Sequence, residues 1–456
     1  RKILAKYEQM LEEGVAAFIP EDELIELIRY YEADDLPDRA LELTDLGIEQ
    51  FPFSSDFRLQ KAHLLISLQE EEQALNLLDE LQMLDPNEIS IPLLQAEALS
   101  SMELFDDALL LLKNLQATAS QDLLSDIYLT EALVHEQQEA YEQMFFALKA
   151  ALLENPRNAE ALKKMWFCVE LSKKYKESIP FHLAIIDEHP YSDLAWYNLA
   201  HAYAYEGQYE EAIDAYEFAF VINPLFEFAY RDCAEICFEI QAYEKALNYY
   251  KEVLSKFEPD QDLLLQIGQC YFQLGRYAKA KAFYKQALRF DPDYDEVYYH
   301  LGECYVMEEQ IDKAILAYNS AIQLENSREE YYAALGEAYY QVGKPEEALT
   351  CFEKATEIAP ETTQYWIQYA CFLLETGNFP LAYEVLEEAE MYAVGVEITY
   401  CQIATLFAMG RRQEALATLS TALDEDYFMH SSLFTLMPEL EADLEIQAVI
   451  AAFQPY

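Results

Sequence analysis

The chain has 456 residues, of which 84 are acidic and 30 are basic, so its formal net charge at pH 7 is −54. This charge argues against nucleic acid and anionic lipid surfaces as partners because like charges repel, and it favours a basic protein or peptide. The sequence contains no run of roughly 18 uncharged apolar residues, so we predict no membrane insertion.

Helical spacing of apolar residues continues through almost the whole chain. These residues recur at i, i+3, i+4 and i+7, and only 11 glycines are present, which predicts short helices joined by tight turns. Because no Ser/Gly-rich or Pro-rich linker interrupts the sequence, we expect one continuous all-α structure. The eight cysteines include no Cys-x-x-Cys pair, so we interpret them as reduced thiols of a cytoplasmic protein.

Residues 1–20 are predicted to form one N-terminal helix, after which small residues mark a repeat. Gly268 and Ala280 are twelve residues apart, and Gly302 and Ala314 show the same separation 34 residues later. Other pairs with this spacing are Ala200 with Ala212, Ala234 with Ala246, and Gly336 with Ala348. A period of this length is typical of a solenoid of helix pairs. We expect the two small residues of a pair to face each other, so that two helices can pack closely.

A wider pattern accompanies these small residues. It comprises Trp196, Leu199, Ala200, Tyr203, Ala212, Tyr216, Ala219 and Pro224 in one unit, and Ile267, Gly268, Tyr271, Ala280, Tyr284, Ala287 and Pro292 in another. In these residues the chain resembles the tetratricopeptide repeat family. The resemblance implies a right-handed α-solenoid of about twelve helix-turn-helix repeats over residues 21–430, with N- and C-terminal capping helices, and we expect a bacterial source. The predicted repeats start at residues 21, 55, 89, 125, 159, 193, 227, 261, 295, 329, 363 and 397.

Prolines indicate where the repeats end. The same position of the repeat is occupied by Pro52, Pro86, Pro156, Pro190, Pro224, Pro292 and Pro360. Because a helix cannot continue through proline, we expect the second helix of each of these repeats to end there. The spacing of Ala404 and Ala415 predicts that the turn inside repeat 12 is shortened by one residue. Residues 431–456 are predicted to form a C-terminal capping helix, apolar over Leu436 to Phe453, that covers the last repeat. Dimerisation through this helix is the alternative.

Repeat 5 departs from the pattern. Trp166 occupies the small position of its first helix, Ser178 replaces the partner alanine, and His182 stands where an aromatic residue is expected. An indole does not fit a close helix contact, so we predict that this repeat is splayed or that Trp166 is turned outward. Repeat 5 also carries a basic island of Lys163, Lys164, Lys173, Lys174 and Lys176. Pairing with neighbouring acidic residues and a site for an acidic ligand are the two interpretations of this island.

The resemblance also implies a binding groove. First helices of such repeats line a concave face, and ligand contacts come from positions 2, 5, 9 and 12, counted from the start of each repeat. Position 9 is acidic or amide in repeats 7 to 10, and position 12 is mostly aromatic. Carboxylates beside aromatic rings suit an extended segment carrying Lys or Arg. The predicted peptide-binding residues are Tyr197, His201, Arg231, Glu235, Phe238, Gln269, Phe272, Tyr299, Glu303, Glu337 and Tyr340.

Motifs for catalysis are missing from the sequence. The seven histidines show no His-Glu-x-x-His or Cys/His ligand spacing, and no Gly-rich phosphate loop or Gly-x-Ser-x-Gly motif occurs. We therefore expect no enzyme activity, no cofactor and no metal, and we interpret the chain as a protein-interaction scaffold. Two alternatives are the recognition part of an enzyme whose catalytic domain lies outside this chain, and an acidic mimic that binds a basic nucleic-acid-binding protein.

Overall fold

The computed structural model describes Tyr7, residues 18–34 and residues 36–454. In these ranges the chain forms helices and no strand, as the sequence predicts, and the architecture is an α-solenoid of tandem helix pairs. The predicted N-terminal helix at 1–20 falls mainly outside the described residues. We call the first helix of each repeat helix A and the second helix B.

The helix bounds follow the predicted period closely. Repeats 1 to 4 consist of Glu21–Ala33 and Pro37–Gln50, Asp56–Ser67 and Glu71–Leu84, Ser90–Ser101 and Phe105–Gln116, and Gln121–Gln137 and Tyr141–Glu154. Repeats 5 to 8 consist of Ala159–Ser172 and Tyr175–Glu188, Asp193–Tyr205 and Tyr209–Ile222, Glu227–Glu239 and Tyr243–Lys256, and Gln261–Gln273 and Tyr277–Phe290. Repeats 9 to 12 consist of Asp295–Met307 and Ile311–Leu324, Glu329–Gln341 and Pro345–Ile358, Thr363–Glu375 and Phe379–Tyr392, and Val396–Ala408 and Arg412–Glu425.

Two compact units share the chain. The N-terminal unit is Arg1–Ile236 and the C-terminal unit is Cys237–Tyr456, so the division falls inside helix A of repeat 7. Each unit buries apolar residues between its own helices. Leu24, Ile28 and Phe57 belong to one such core in the N-terminal unit, and Trp366 and Leu386 belong to one in the C-terminal unit.

Aromatic rings explain the glycines of helix A. A Cβ atom added to Gly268 would lie 2.2 Å from Cε1 of Tyr284, and one added to Gly302 would lie 2.3 Å from Cε1 of Tyr318. The sequence pattern led us to expect an alanine of helix B opposite each glycine. Ala280 is fully buried, but the atoms nearest to the missing Cβ of Gly268 belong to the tyrosine ring. At Gly268 and Gly302 the tyrosine ring of helix B therefore lies so close to the helix A backbone that only glycine leaves room for it.

The turn between helices A and B fixes the register of the repeats. Its middle residue is left-handed in every repeat from 2 to 12, as in Gly207 and Gly275, and also in non-glycine residues such as Lys173. In repeat 12 this residue is Gly410, and the turn from Met409 to Arg411 has the ordinary length. The predicted shortening inside repeat 12 is therefore wrong. The missing residue lies before Val396, in the connection from repeat 11, so helix A begins at Val396 rather than at residue 397.

The chain end does not form one closing helix. Met437 leaves the helical conformation, with φ −135° and ψ 81°, and Pro438, which lacks an amide donor, begins a separate 3-10 turn. Residues after repeat 12 form Tyr427–His430, Ser431–Leu436, Pro438–Ala442 and Leu444–Ala452 as four short helical segments. Their apolar residues nonetheless pack on repeat 12, where Leu433, Leu440, Ile446 and Ile450 are buried in one core with residues of its helices. The predicted cover exists, but the interpretation as a single helix is wrong because it overlooked Pro438.

Repeat 5 is splayed in the structure. Its helices A and B barely contact each other, whereas the helices of repeats 4 and 6 pack closely along their length. Trp166 stacks on the ring of His201 from the next repeat, at 5.4 Å between centroids, and Ser178 and His182 are fully buried. Repeat 5, whose small position carries Trp166, is therefore splayed, which is one of the two outcomes predicted from its sequence.

The basic island of repeat 5 is paired internally. Lys163, Lys164, Lys174 and Lys176 lie within 4.0 Å of carboxylates of Glu160, Glu136, Glu142 and Glu206, respectively. Most of the island is thus paired with carboxylates of its own or neighbouring helices, which supports pairing over a site for an acidic ligand.

Candidate functional site

A cavity of about 440 Å³ lies among the A helices of repeats 9, 10 and 11, within the C-terminal unit. All its lining residues except Phe352 come from A helices, which the family resemblance places along the groove. Its lining consists of Tyr299, Glu330, Ala333, Ala334, Glu337, Phe352, Gln364, Tyr365 and Gln368. Two of these residues, Tyr299 and Glu337, belong to the set predicted from the sequence.

Helix periodicity places the two carboxylates of this cavity together. Glu330 and Glu337 occupy positions 2 and 9 of helix A in repeat 10, and side chains two turns apart lie on one helix face. Ala333 and Ala334 lie between them, and their short side chains leave the floor open. The neighbouring A helices contribute the walls, with Tyr299 from repeat 9 and Tyr365 from repeat 11.

The aromatic walls are held by packing. Tyr299 stacks on Tyr331, with 5.1 Å between ring centroids, and also contacts the ring of Tyr318. Burial, together with the charges of Glu303 and Glu330, raises the pKa of Tyr299. Burial and the charges of Glu329 and Glu330 likewise raise the pKa of Tyr365. Both phenols are therefore neutral near pH 7 and available as hydrogen-bond donors.

The cavity is negative at neutral pH. Glu337 is exposed and accepts a hydrogen bond from Nε2 of Gln341 at 3.2 Å. Glu330 lies 3.6 Å from Nη1 of Arg328, and Nε of the same arginine lies 3.6 Å from the carboxylate of Asp295. Arg328 is thus shared between the carboxylates of Glu330 and Asp295, so the cavity retains negative charge. A cation entering between two aromatic walls would meet carboxylates at positions 2 and 9.

Glu303, predicted to bind ligand, is engaged by a histidine. Its carboxylate lies 2.6 Å from Nδ1 of His300, while Glu296 lies 3.5 Å from Nε2. Burial lowers the pKa of His300, but hydrogen bonds to Glu296 and Glu303 outweigh this effect and raise the pKa to about 9. The Glu303 carboxylate is therefore engaged within its own helix and is not freely available to a ligand. Gln269 is 3.0 Å from Nε2 of His300, so this predicted residue also belongs to the internal network.

Tyr197 and His201, predicted to bind ligand in repeat 6, point to an internal acid. Tyr197 is 6% exposed, and its hydroxyl donates a hydrogen bond of 2.7 Å to Asp232. Nε2 of His201 lies 3.2 Å from the same carboxylate, and its ring stacks on Trp166. Their prediction as an open binding surface is therefore not supported by the geometry: both residues tie helix A of repeat 6 to that of repeat 7.

The other predicted residues are spread over several repeats. Arg231 pairs with Glu227 at 2.7 Å, and Glu235 is exposed. Three partly buried aromatic residues each contact another ring, at 5.1 Å for Phe238 with Tyr243, 5.4 Å for Phe272 with Tyr277 and 5.3 Å for Tyr340 with Phe372. Their ligand contacts remain a prediction.

Four polar residues of the cavity were missed by the sequence reasoning. Glu330 stands at position 2 of repeat 10, a position that the family resemblance had already marked, so it could have been found. Gln364, Tyr365 and Gln368 come from repeat 11, beyond Tyr340 of repeat 10, the last predicted binding residue. Only the packing of consecutive A helices shows that repeat 11 completes the cavity.

Family comparisons identify the repeat. Models described as tetratricopeptide repeat match residues 194–225, 239–286, 272–338 and 329–362. Residues 194–225 and 239–362 thus match tetratricopeptide repeats. Proteins built from these repeats generally act as protein-interaction scaffolds, and the repeat fold is typically non-catalytic. A comparison with curated protein sequences finds no match.

Solved structures resemble parts of the chain. A tetratricopeptide repeat protein from Parabacteroides merdae is 16% identical over 56% of this chain and 100% of its own, with a TM-score of 0.42. YrrB, described as a tetratricopeptide protein with an unusual peptide-binding site, is 18% identical over 40% of this chain and 95% of its own, with a TM-score of 0.34. The Cut9–Hcn1 hetero-tetramer structure matches at 15% identity over 92% of each chain, with a TM-score of 0.40.

Helices long and apolar enough to span a bilayer do not occur in the part of the chain that the structure describes. Across the same residues, no group of three or more His, Cys, Asp or Glu side chains is arranged to hold a metal ion.

Proposed function

We propose that the chain is a scaffold that binds a basic polypeptide segment in the cavity of repeats 9 to 11. The observation that carries the proposal is the cavity itself, in which Glu330 and Glu337 lie between the aromatic walls Tyr299 and Tyr365. A Lys or Arg side chain would form charge-assisted hydrogen bonds with the carboxylates. Its aliphatic stem would cover ring surface, and the ring faces would attract the cation.

Backbone recognition would accompany this contact. Gln364 and Gln368 are exposed on one face of helix A in repeat 11, and an amide side chain both donates and accepts hydrogen bonds. They suit the alternating N–H and C=O groups of an extended segment. The net charge of −54 would steer a cationic segment towards the chain, and salt would weaken this steering.

The test uses peptides selected from a random phage-displayed library against the full chain. We expect selected sequences to be enriched in Lys or Arg beside apolar residues. The double substitution Glu330→Gln and Glu337→Gln should weaken binding about tenfold or more and reduce its dependence on salt, because two carboxylates are lost.

A matched control removes the same number of negative charges at another place in repeat 10. Glu346 and Glu347 are exposed at the start of helix B and do not line the cavity. Substituting both by Gln should leave peptide binding almost unchanged. Equal losses in the two double variants would show that general charge, and not this cavity, governs binding.

The remaining sequence-based expectations stay predictions. They are the basic character of the partner, the exclusion of nucleic acid, the cytoplasmic location, the bacterial source and the right-handed sense of the solenoid. The enzyme-associated and acidic-mimic alternatives make a different prediction for the test above, because neither requires a short peptide to depend on Glu330 and Glu337.

A further inference from the structure

A second cavity of about 390 Å³ lies on the helix B side of the C-terminal unit. It is bounded by helix B of repeat 10, by helix B of repeat 11 and by helix A of repeat 11 between them. Its lining consists of Glu353, Thr356, Glu357, Pro360, Trp366, Tyr369, Leu381, Val385, Glu388 and Tyr392. None of these residues lines the cavity of the proposed groove site.

Aromatic side chains form the floor and one side of this cavity. Trp366 and Tyr369 are 4% and 5% exposed, so they make a rigid floor. Nε1 of Trp366 donates a hydrogen bond of 2.7 Å to the carbonyl oxygen of Pro360, which fixes the indole. Tyr392 is 52% exposed, and its ring is parallel to the indole with 6.4 Å between centroids. Tyr392 therefore offers ring surface to a ligand.

Repeat 6 shows the same arrangement in a closed form. Trp196 occupies the position of Trp366 and donates the equivalent hydrogen bond, of 2.9 Å, to the carbonyl oxygen of Pro190. Phe218 then stacks on the indole, with 4.4 Å between centroids. The residue equivalent to Phe218 in repeat 11 is Glu388. Repeat 11 therefore has a carboxylate and a cavity where repeat 6 has a ring that covers the tryptophan.

The cavity carries negative charge that its surroundings do not neutralise. Glu357 pairs with Lys354 at 2.8 Å, but no ion pair is recorded for Glu353 or Glu388 within residues 36–454. Burial, followed by the charges of Glu353 and Glu388, raises the pKa of Tyr369 to about 12. Both carboxylates thus act on the same point of the cavity floor. No basic side chain is among the lining residues.

We propose that this cavity binds an arginine side chain presented by a partner polypeptide. The planar guanidinium group has forked donors that match two carboxylates, here Glu353 and Glu388, and it stacks on an aromatic ring such as Tyr392. The ammonium group of lysine is compact and more strongly hydrated, so it uses such a site less well. Leu381 and Val385 would contact the methylene groups of the arginine.

The test uses the full chain labelled with 5-fluorotryptophan and a short Gly/Ser peptide that carries one central arginine. Of the three tryptophan signals, that of Trp366 should shift saturably, while those of Trp166 and Trp196 should not. A peptide with citrulline, the neutral isostere of arginine, should bind about tenfold more weakly or worse because it cannot pair with carboxylates. Equal binding of the two peptides, or a Trp366 signal that does not move, would overturn the proposal.

Glu388→Phe provides the decisive variant because it copies the closed arrangement of repeat 6. It should abolish the arginine-dependent shift without lowering the melting temperature. Glu390→Phe is the matched control, since Glu390 is exposed on the same helix and does not line the cavity. Retained binding in Glu388→Phe, loss in Glu390→Phe, or equal affinity for a lysine peptide would each contradict the proposed arginine site. The Glu330→Gln and Glu337→Gln variant should bind the arginine peptide here as wild type does, which separates this site from the groove.

Discussion

At the scale of single residues, the contact between Gly268 and Tyr284 shows why small residues recur at position 8 of the repeat. We predict that Gly268→Ala lowers the free energy of unfolding by about 1 to 3 kcal/mol, because the added methyl group overlaps the tyrosine ring. Chemical denaturation would measure the change. Gly336→Ala is the control: its Cβ would lie 3.2 Å from Phe352, a mild contact that the better helix propensity of alanine offsets. Equal destabilisation by both substitutions would contradict the steric explanation.

His182 gives the stability of repeat 5 a dependence on pH. Burial lowers its pKa from 6.5 to about 4, and no partner is found for its Nε2 atom. Below pH 6.5 the unfolded chain therefore binds a proton that the folded chain does not accept until about pH 4. The contribution of His182 to the free energy of unfolding is therefore present in full above pH 6.5 and is lost as the pH falls towards 4.

We predict that His182→Phe reduces this loss, because phenylalanine has no proton to bind. Between pH 7 and pH 4, the free energy of unfolding of the variant should rise relative to that of wild type by on the order of 3 kcal/mol. Urea unfolding at a series of pH values measures it. His63→Phe is the control, since the His63 side chain is 60% exposed. Parallel pH profiles of wild type and His182→Phe would show that His182 is not the responsible group.

At the scale of helices, the segments after repeat 12 act as a cover for its last helices. Ile446 is fully buried there, whereas Leu444 on the same short helix is 87% exposed. We predict that Ile446→Asp speeds amide hydrogen exchange throughout repeat 12, because a buried carboxylate without a partner costs several kcal/mol. Leu444→Asp should leave exchange unchanged. Loss of protection in both variants would indicate that the segment responds to charge and not to loss of packing.

Arg412 strengthens this cover from outside the core. Its guanidinium lies 2.7 Å from Asp443 and 2.8 Å from Glu445, so helix B of repeat 12 is joined to the start of the last short helix. Asp443 also caps that helix by accepting bonds from the backbone of Glu445 and Ile446. The broken geometry introduced by Pro438 thus brings an acidic helix start to a basic residue, which a single straight helix would not do.

At the scale of the whole molecule, the charge of −54 opposes folding because carboxylates are brought together. We predict that the melting temperature rises by a few degrees as NaCl increases from about 10 mM to about 150 mM, since the Debye length then falls from about 30 Å to about 8 Å. Differential scanning calorimetry would measure it. A melting temperature that falls over this range would show that attractive ion pairs outweigh the repulsion.

The sequence by itself determined the repeat architecture. Small residues and prolines recur at a fixed period, and both act through local sterics, so the helix pairs and the irregular packing of repeat 5 could be predicted. The turn register could also have been found from Gly410, because the glycines of other turns occupy the same position. Local rules of this kind depend only on the residue and its near neighbours along the chain.

Only the tertiary structure decided which groove residues remain available. Position 9 carries Glu303 and Glu337 alike, yet His300 engages the first, whereas Glu337 lines the cavity. His300 precedes Glu303 by three residues on the same helix, so this difference is local, whereas the partners of Gln269 and Tyr197 come from the next A helix and are not written in one repeat. For the same reason the sequence did not show that the Tyr197 hydroxyl donates a hydrogen bond to Asp232, 35 positions away. Nor did it show that residues of repeat 11 complete the cavity.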